Sequence, residues 1–125
     1  MSPKLGCGLG QCGACAVLVD GAVEMSCMLE LGALAGRSVT TLESFAHGGK
    51  LNRIQQAFLD ENAAQCGFCL SGILIRTQAL LSTGRTYSDS DIKAALAPHL
   101  CRCGAHPRML RAVRKLVGID TEKKF

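Results

Sequence analysis

The stretch GCGLGQCGAC, residues 6–15, fits two incompatible patterns. Gly8, Gly10 and Gly13 match the dinucleotide fingerprint G-x-G-x-x-G, while Cys7, Cys12 and Cys15 stand at the spacing of metal-ligating thiols. A dinucleotide loop needs a strand before its glycines and a helix after them, so that the pyrophosphate meets a helix N-terminus. Only five residues precede Gly6. Behind the loop comes Ala16-Val17-Leu18-Val19, a short β-branched and apolar run, and then Asp20-Gly21, a strong hairpin signal. A strand and a turn stand where a helix would have to begin. Context excludes a nucleotide loop.

The same context favours metal. C-x4-C-x2-C followed by the more distant Cys27 is the spacing of plant-type [2Fe–2S] centres. In such a centre four thiolates complete the tetrahedral shells of two irons already bridged by two sulfides. The glycines then have a physical task, because lacking Cβ they let the loop wrap a cluster closely. Their N–H groups can point at sulfur and tune the reduction potential. The other four of the eight cysteines form a second set, C-x2-C at Cys66 and Cys69 and C-x-C at Cys101 and Cys103. A disulfide between cysteines one residue apart is strained, which counts against an oxidised pair. By spacing alone this second set suits either zinc held by four thiolates or an iron–sulfur cluster.

Composition agrees with a small folded domain that needs support from such sites. The chain has 125 residues, 48% hydrophobic and 19% charged, which is not a disordered profile. Aromatic residues make up only 4%, with no Trp, so the core must rest on aliphatic side chains. The net charge of +4 gathers late, around Arg108, Arg111, Arg114 and Lys115, without the interleaved aromatics of a nucleic-acid surface. No apolar run approaches the roughly 20 residues of a membrane span. The N-terminus lacks the apolar core of a secretory signal. A reducing, cytoplasmic setting follows, in which clustered cysteines read as metal ligands rather than disulfides.

The pattern divides the chain near Gly48-Gly49, into residues 1–46 and 50–125. The first segment reads as β: Ala16–Val19, a returning strand over Ala22–Ser26, and a short strand over Ser38–Thr40. The second reads as four helices. Leu51, Ile54 and Phe58 mark the first; Leu70, Ile73, Leu74 and Leu81 mark the second, ending at Gly84. Ser88 with Asp91 caps a third over Ile92–Ala97, and Pro107 opens a fourth whose face is Met109, Leu110, Val113, Leu116 and Val117.

GCGLGQCGACAVLVDG resembles the ferredoxin-like cluster loop in the small subunits of molybdenum hydroxylases of the xanthine oxidase family. AAQCGFCLSG and HLCRCGAHPRMLRAV resemble the two halves of the second cluster motif of those subunits. The matches run in order from Lys4 to about Val117, and for the second set the resemblance favours iron over zinc. It implies an α+β fold: a β-grasp, plant-ferredoxin-like N-terminal part followed by a four-helix [2Fe–2S]-binding domain. Cys7, Cys12, Cys15 and Cys27 would hold one [2Fe–2S] cluster, and Cys66, Cys69, Cys101 and Cys103 the other. Gln65 and Cys103 would lie near the molybdopterin of a large partner subunit. Electrons would pass from molybdenum through both clusters to an acceptor, a flavin (FAD) subunit or a haem cytochrome.

Two departures from the family pattern shape the expectation. Family members usually carry a further hairpin and helix ahead of the first loop, so the β-grasp part is expected to be N-terminally incomplete. The C-x-C segment runs on as Gly104-Ala105-His106-Pro107-Arg108, where many members have Thr-Gly-Tyr. The Gly-x-His form is similar to bacterial isoquinoline, nicotinate and aldehyde dehydrogenase subunits. Against this stands a plainer alternative, a cysteine-rich zinc module with a structural or interaction role. Several residues carry two readings or a plain one: His106 as an exposed residue at a helix start or a contact to cofactor or partner near Cys103, Arg102 as a charge-balancing residue or a spacer, and the methionines as packing. The basic face of the last helix reads as solvated, with docking on a larger acidic subunit as the alternative, and His47 and His99 have no assigned role. No catalytic triad, carboxylate pair or phosphate loop is present, so substrate chemistry belongs to the partner.

Overall fold

The computed structural model describes residues 1–119; the last six positions of the 50–125 segment lie outside the described residues. Its elements are three strands, β1 (Ala16–Val19), β2 (Ala22–Met25) and β3 (Val39–Thr40), and four helices, α1 (Arg53–Asp60), α2 (Leu70–Ser82), α3 (Asp89–Leu96) and α4 (His106–Val117). Short 3-10 turns at Ser26–Met28 and Leu31–Leu34 lie between β2 and β3, and one at Leu42–Phe45 lies between β3 and α1. The fold is thus mixed, a small sheet against four helices.

The sheet has the order β2-β1-β3, all antiparallel. Val19 pairs with Ala22, leaving only Asp20 and Gly21 to turn the chain, and both take positive φ (50° and 83°). That is the primed turn that matches strand twist. Asp20 then fastens β3, its carboxylate accepting from Ser38 N–H at 2.9 Å and from Arg37 Nε–H at 2.8 Å. All four β1 residues are buried, because β2 and β3 flank the strand and α2 covers it.

The helices begin where their caps dictate. Asn52 and Gln55 cap α1 reciprocally, and Ser88 and Asp91 do the same for α3. Pro107 sits in the first turn of α4, and Gly118 closes that helix at φ 79°. A continuous core joins sheet to helices: Leu18 and Phe45 pack with Ile54, Phe58, Ile73, Ile75, Ile92, Leu96, Met109 and Val113. Among the described residues, no helix is long and apolar enough to cross a membrane.

Differences from the sequence expectations are small and local. The returning strand stops at Met25, one residue early, where the chain turns toward Cys27. β3 lacks Ser38, α2 stops at Ser82 short of Gly84, and α3 starts a turn earlier than Ile92 and ends at Leu96. Leu51 lies ahead of α1 and is 48% exposed, so it does not share the helix's buried stripe. Met109 is buried in the core and Met25 packs on it, but Met1 and Met28 are exposed and do not serve as packing residues.

The basic face of α4 is ion-paired at three of its residues, although Lys115 stays exposed. Glu61, at the end of α1, accepts from Arg111 Nε at 3.1 Å and from Lys115, and Asp89 at the start of α3 accepts from Arg114 and from Lys93. The Lys115 ammonium, then the Arg111 guanidinium, hold the Glu61 carboxyl below its ordinary value of 4.5. A depressed carboxyl stabilises the fold while ionised and loses that contribution as pH falls through its folded pKa. Glu61→Gln should therefore lower stability by about 1 kcal/mol near neutral pH. The gap in melting temperature between wild type and variant should hold above about pH 4.5 and close below it; a gap unchanged at acid pH would show that the pairing contributes nothing.

Candidate metal centres

The first thiol set forms on the loop that enters β1. Positive φ at Gly8 (67°) and Gly10 (70°) curls the backbone so that neighbouring N–H groups face sulfur. Leu9 N–H and Gln11 N–H donate to Cys7 Sγ at 3.3 and 3.2 Å, Gly10 N–H to Cys27 Sγ at 3.3 Å, and Cys7 N–H to Cys12 Sγ at 3.4 Å. The glycines shape the loop, then, while most of the donors are its other residues. The Leu9 donor, then that of Gln11, lowers the Cys7 thiol to about 6. Cys27 arrives from the turn after β2, where Ser26 N–H bonds Cys15 O at 3.2 Å. Its thiol meets that of Cys15, which is buried, and that contact raises the Cys27 pKa. The set therefore comes as two contacting pairs, Cys7 with Cys12 and Cys15 with Cys27.

The second set joins the start of α2 to the loop before α4. Cys66 and Cys69 flank a turn at Gly67, and Cys101 and Cys103 sit where the chain leaves α3. Again the thiols pair, Cys66 with Cys103 and Cys69 with Cys101. They border a recess of about 170 Å³ of empty space, which Gln65, Leu70 and Met109 also line. Cys69 is the most withdrawn, and burial, followed by the neighbouring Cys101 thiol, pushes it up to about 12. A metal would have to displace that proton, since the thiolate is the ligating form.

All eight cysteines are free thiols. Two pairs per set suit two irons, each taking two thiolates and two bridging sulfides. A single zinc needs four thiolates closing on one point at about 2.3 Å. Among the described residues no three His, Cys, Asp or Glu side chains converge on one ion. The donor set fits a two-iron cluster.

The two sets touch through backbone. Leu100 N–H donates to Cys12 O at 2.9 Å, and Lys4 N–H to Ala14 O at 3.1 Å steadies the loop from its other side. His99, which sequence reasoning passed over, is 1% exposed and wedged against the loop, with Nδ1 3.2 Å from Gly13 O and Nε2 accepting from Arg76 Nε–H at 3.2 Å. The only sequence signal was its place two residues before Cys101. Its burial, then the Arg76 charge, lowers its pKa to about 4, so the ring is neutral. His106 is half-buried rather than exposed, and its Nε2 pairs with His99 O at 2.8 Å. Gln65 and Arg102 are exposed beside the second set, while His47 lies away from both sets in the turn back to Lys50.

Comparison with known proteins agrees with this geometry. Residues 41–114 match the family described as [2Fe-2S] binding domain. A nicotinate dehydrogenase subunit of Pseudomonas putida is 49% identical over 122 residues, covering 98% of this chain and 76% of that protein. The xanthine dehydrogenase iron-sulfur-binding subunit of Escherichia coli O157:H7 is 40% identical, again over 98% of this chain and 76% of that protein. Among solved structures, quinoline 2-oxidoreductase from Pseudomonas putida 86 superposes with a TM-score of 0.84 at 34% identity, covering 89% of this chain and 68% of that one. Fold and thiols thus define a two-iron cluster protein. The chain belongs to the [2Fe–2S] binding domain family and, within it, to the small iron–sulfur subunits of the xanthine oxidase family of oxidoreductases. Nothing supports the zinc module.

The contact between loop and helix can be tested at one atom. A Cβ on Gly72, in α2, would lie 2.0 Å from Gly13 O. Gly72→Ala must therefore push the first loop off the helix or bend α2. We expect loss of the first set's metal with the second set's retained, read as halved iron content; full iron content in that variant would contradict the contact.

Proposed function

We propose that this chain relays electrons from a molybdopterin-bearing large subunit to a flavin or cytochrome acceptor, using one cluster held by residues 1–46 and one held by residues 50–125. When bound, each [2Fe–2S] cluster accepts and returns one electron without exchanging a proton. The observation that carries this proposal is the gathering of eight free cysteines into two sets of four bridged by the Leu100–Cys12 hydrogen bond, with the thiols of each set lying in pairs. By that pairing Cys7 and Cys12 would hold one iron and Cys15 and Cys27 the other. Cys66 with Cys103, and Cys69 with Cys101, would hold the second pair of irons. The first segment would be the cluster-bearing part of a β-grasp fold.

The chain's own residues have three tasks in this scheme. Peptide N–H groups of Leu9, Gly10 and Gln11 stabilise negative charge on sulfur in the first set. Leu70, Met109 and Ala64 make the second set's surroundings apolar, which penalises added charge. The Leu100–Cys12 hydrogen bond leaves the two sets one peptide and one hydrogen bond apart, because Leu100 is bonded to Cys101. Gln65 and Cys103, at the exposed side of the second set, are the residues we place against the pterin of the large subunit. Free thiols throughout suit a reducing, cytoplasmic setting. The relatives are named for nicotinate, xanthine and quinoline, and a nitrogen heterocycle is the substrate class we propose for the large subunit.

The reduced protein should give two distinguishable EPR signals. Cys69→Ser should abolish one of them and reduce turnover of the holoenzyme by at least ~100-fold, since an interrupted relay leaves no parallel route for electrons. Normal turnover in that variant, or a single signal in the wild type, would contradict the relay.

A further inference from the structure

We propose that Arg76 and His99 form a charged strut between the two thiol sets, raising the reduction potential of both clusters together; this rests on the two-cluster reading above. His99 is held at three points, and its neighbour at a fourth. Its ring lies between Gly13 O and Arg76 Nε, its carbonyl pairs with His106, and its neighbour Leu100 binds Cys12 O. Arginine can only donate, so Nε2 of His99 is the acceptor and Nδ1–H donates to Gly13 O. The tautomer is thereby fixed, and the Arg76 dipole and charge are handed through one neutral ring to a peptide standing between Cys12 and Cys15.

Arg76 differs from the basic residues of α4. Arg111, Arg114 and Lys115 each meet a carboxylate, which cancels their field at a distance. Among the described residues Arg76 has no carboxylate partner, although its side chain is half-withdrawn from water on the face of α2 that meets the first loop. Burial of that kind is unfavourable for a cation unless something negative answers it. Each cluster gains one negative charge on reduction while no bond or proton moves. The strut touches the first set through Gly13 and the second through the short run from His99 to Cys101, so an uncompensated positive charge there favours the reduced state of both. We class Arg76 and His99 as positioning residues, since neither touches a reacting atom.

The test uses the full chain assembled with iron and sulfide, with metal content measured first and the two EPR signals then titrated against potential. Arg76→Gln should keep the iron content and both signals while both midpoints shift downward. Arg76→Lys, which keeps the charge, should restore them. His99→Leu, which keeps bulk but removes both ring hydrogen bonds, should lower the first set's midpoint and weaken the magnetic splitting between the two reduced clusters. Unmoved midpoints in a fully loaded Arg76→Gln protein, or a shift confined to one cluster, would overturn the proposal. Should Arg76→Gln not assemble, Arg76→Met, which keeps the length of the side chain but removes its charge, decides: both midpoints lowered supports the proposal, and unmoved midpoints in the loaded protein overturn it. A wild-type chain that takes up no iron would instead refute the two-cluster reading itself.

Discussion

The carbonyl oxygen of Gly13 occupies the space where a side chain on Gly72 would begin. This one close approach lets the first thiol loop lie directly on α2, and much of the architecture follows from it. A Cβ on Gly13 would in turn meet the His99 ring at 2.4 Å, so the loop, the helix and the segment before Cys101 are packed at a point where only glycine fits. Because Cys69 caps the start of α2 and the helix covers β1, the same helix orders the second thiol set and roofs the strand that follows the first. Two thiol sets on separate stretches of sequence thus share one support.

That support matters because thiols in a small chain are awkward to bury. Cys69 in its withdrawn position strongly prefers its proton, whereas Cys7, facing peptide N–H groups, gives its proton up readily. Each set mixes the two kinds: Cys7, Cys66 and Cys101 are held below the ordinary thiol value, whereas Cys27 and Cys69 are raised and must be deprotonated by the metal. Backbone hydrogen-bond donors face sulfur in both sets, and apolar side chains border much of the second. Both are recognised levers on the potential of an iron–sulfur cluster.

Much of this was legible in residue order because local rules decided it. Asp20-Gly21 sets its hairpin by backbone preference alone, the Ser88–Asp91 pair caps its helix with nothing from elsewhere, and the thiol spacings are themselves short-range. What residue order concealed depends on distant partners. Leu51 shares the period of α1 yet lies outside it, because the Asn52–Gln55 capping box starts the helix after it. The basic residues of α4 read as a solvated face until Glu61 and Asp89 come alongside from α1 and α3. His99 carried no motif of its own; its importance lies in Gly13 and Arg76, 86 and 23 residues away. Backbone approach of that kind leaves only an unremarked glycine in the sequence.

The most direct measurement is elemental: iron, zinc and acid-labile sulfide per chain after anaerobic assembly of the purified protein. Two [2Fe–2S] clusters require about four irons and four sulfides per chain, with a brown visible spectrum. A colourless protein holding zinc in place of iron, or iron without sulfide, would contradict the account.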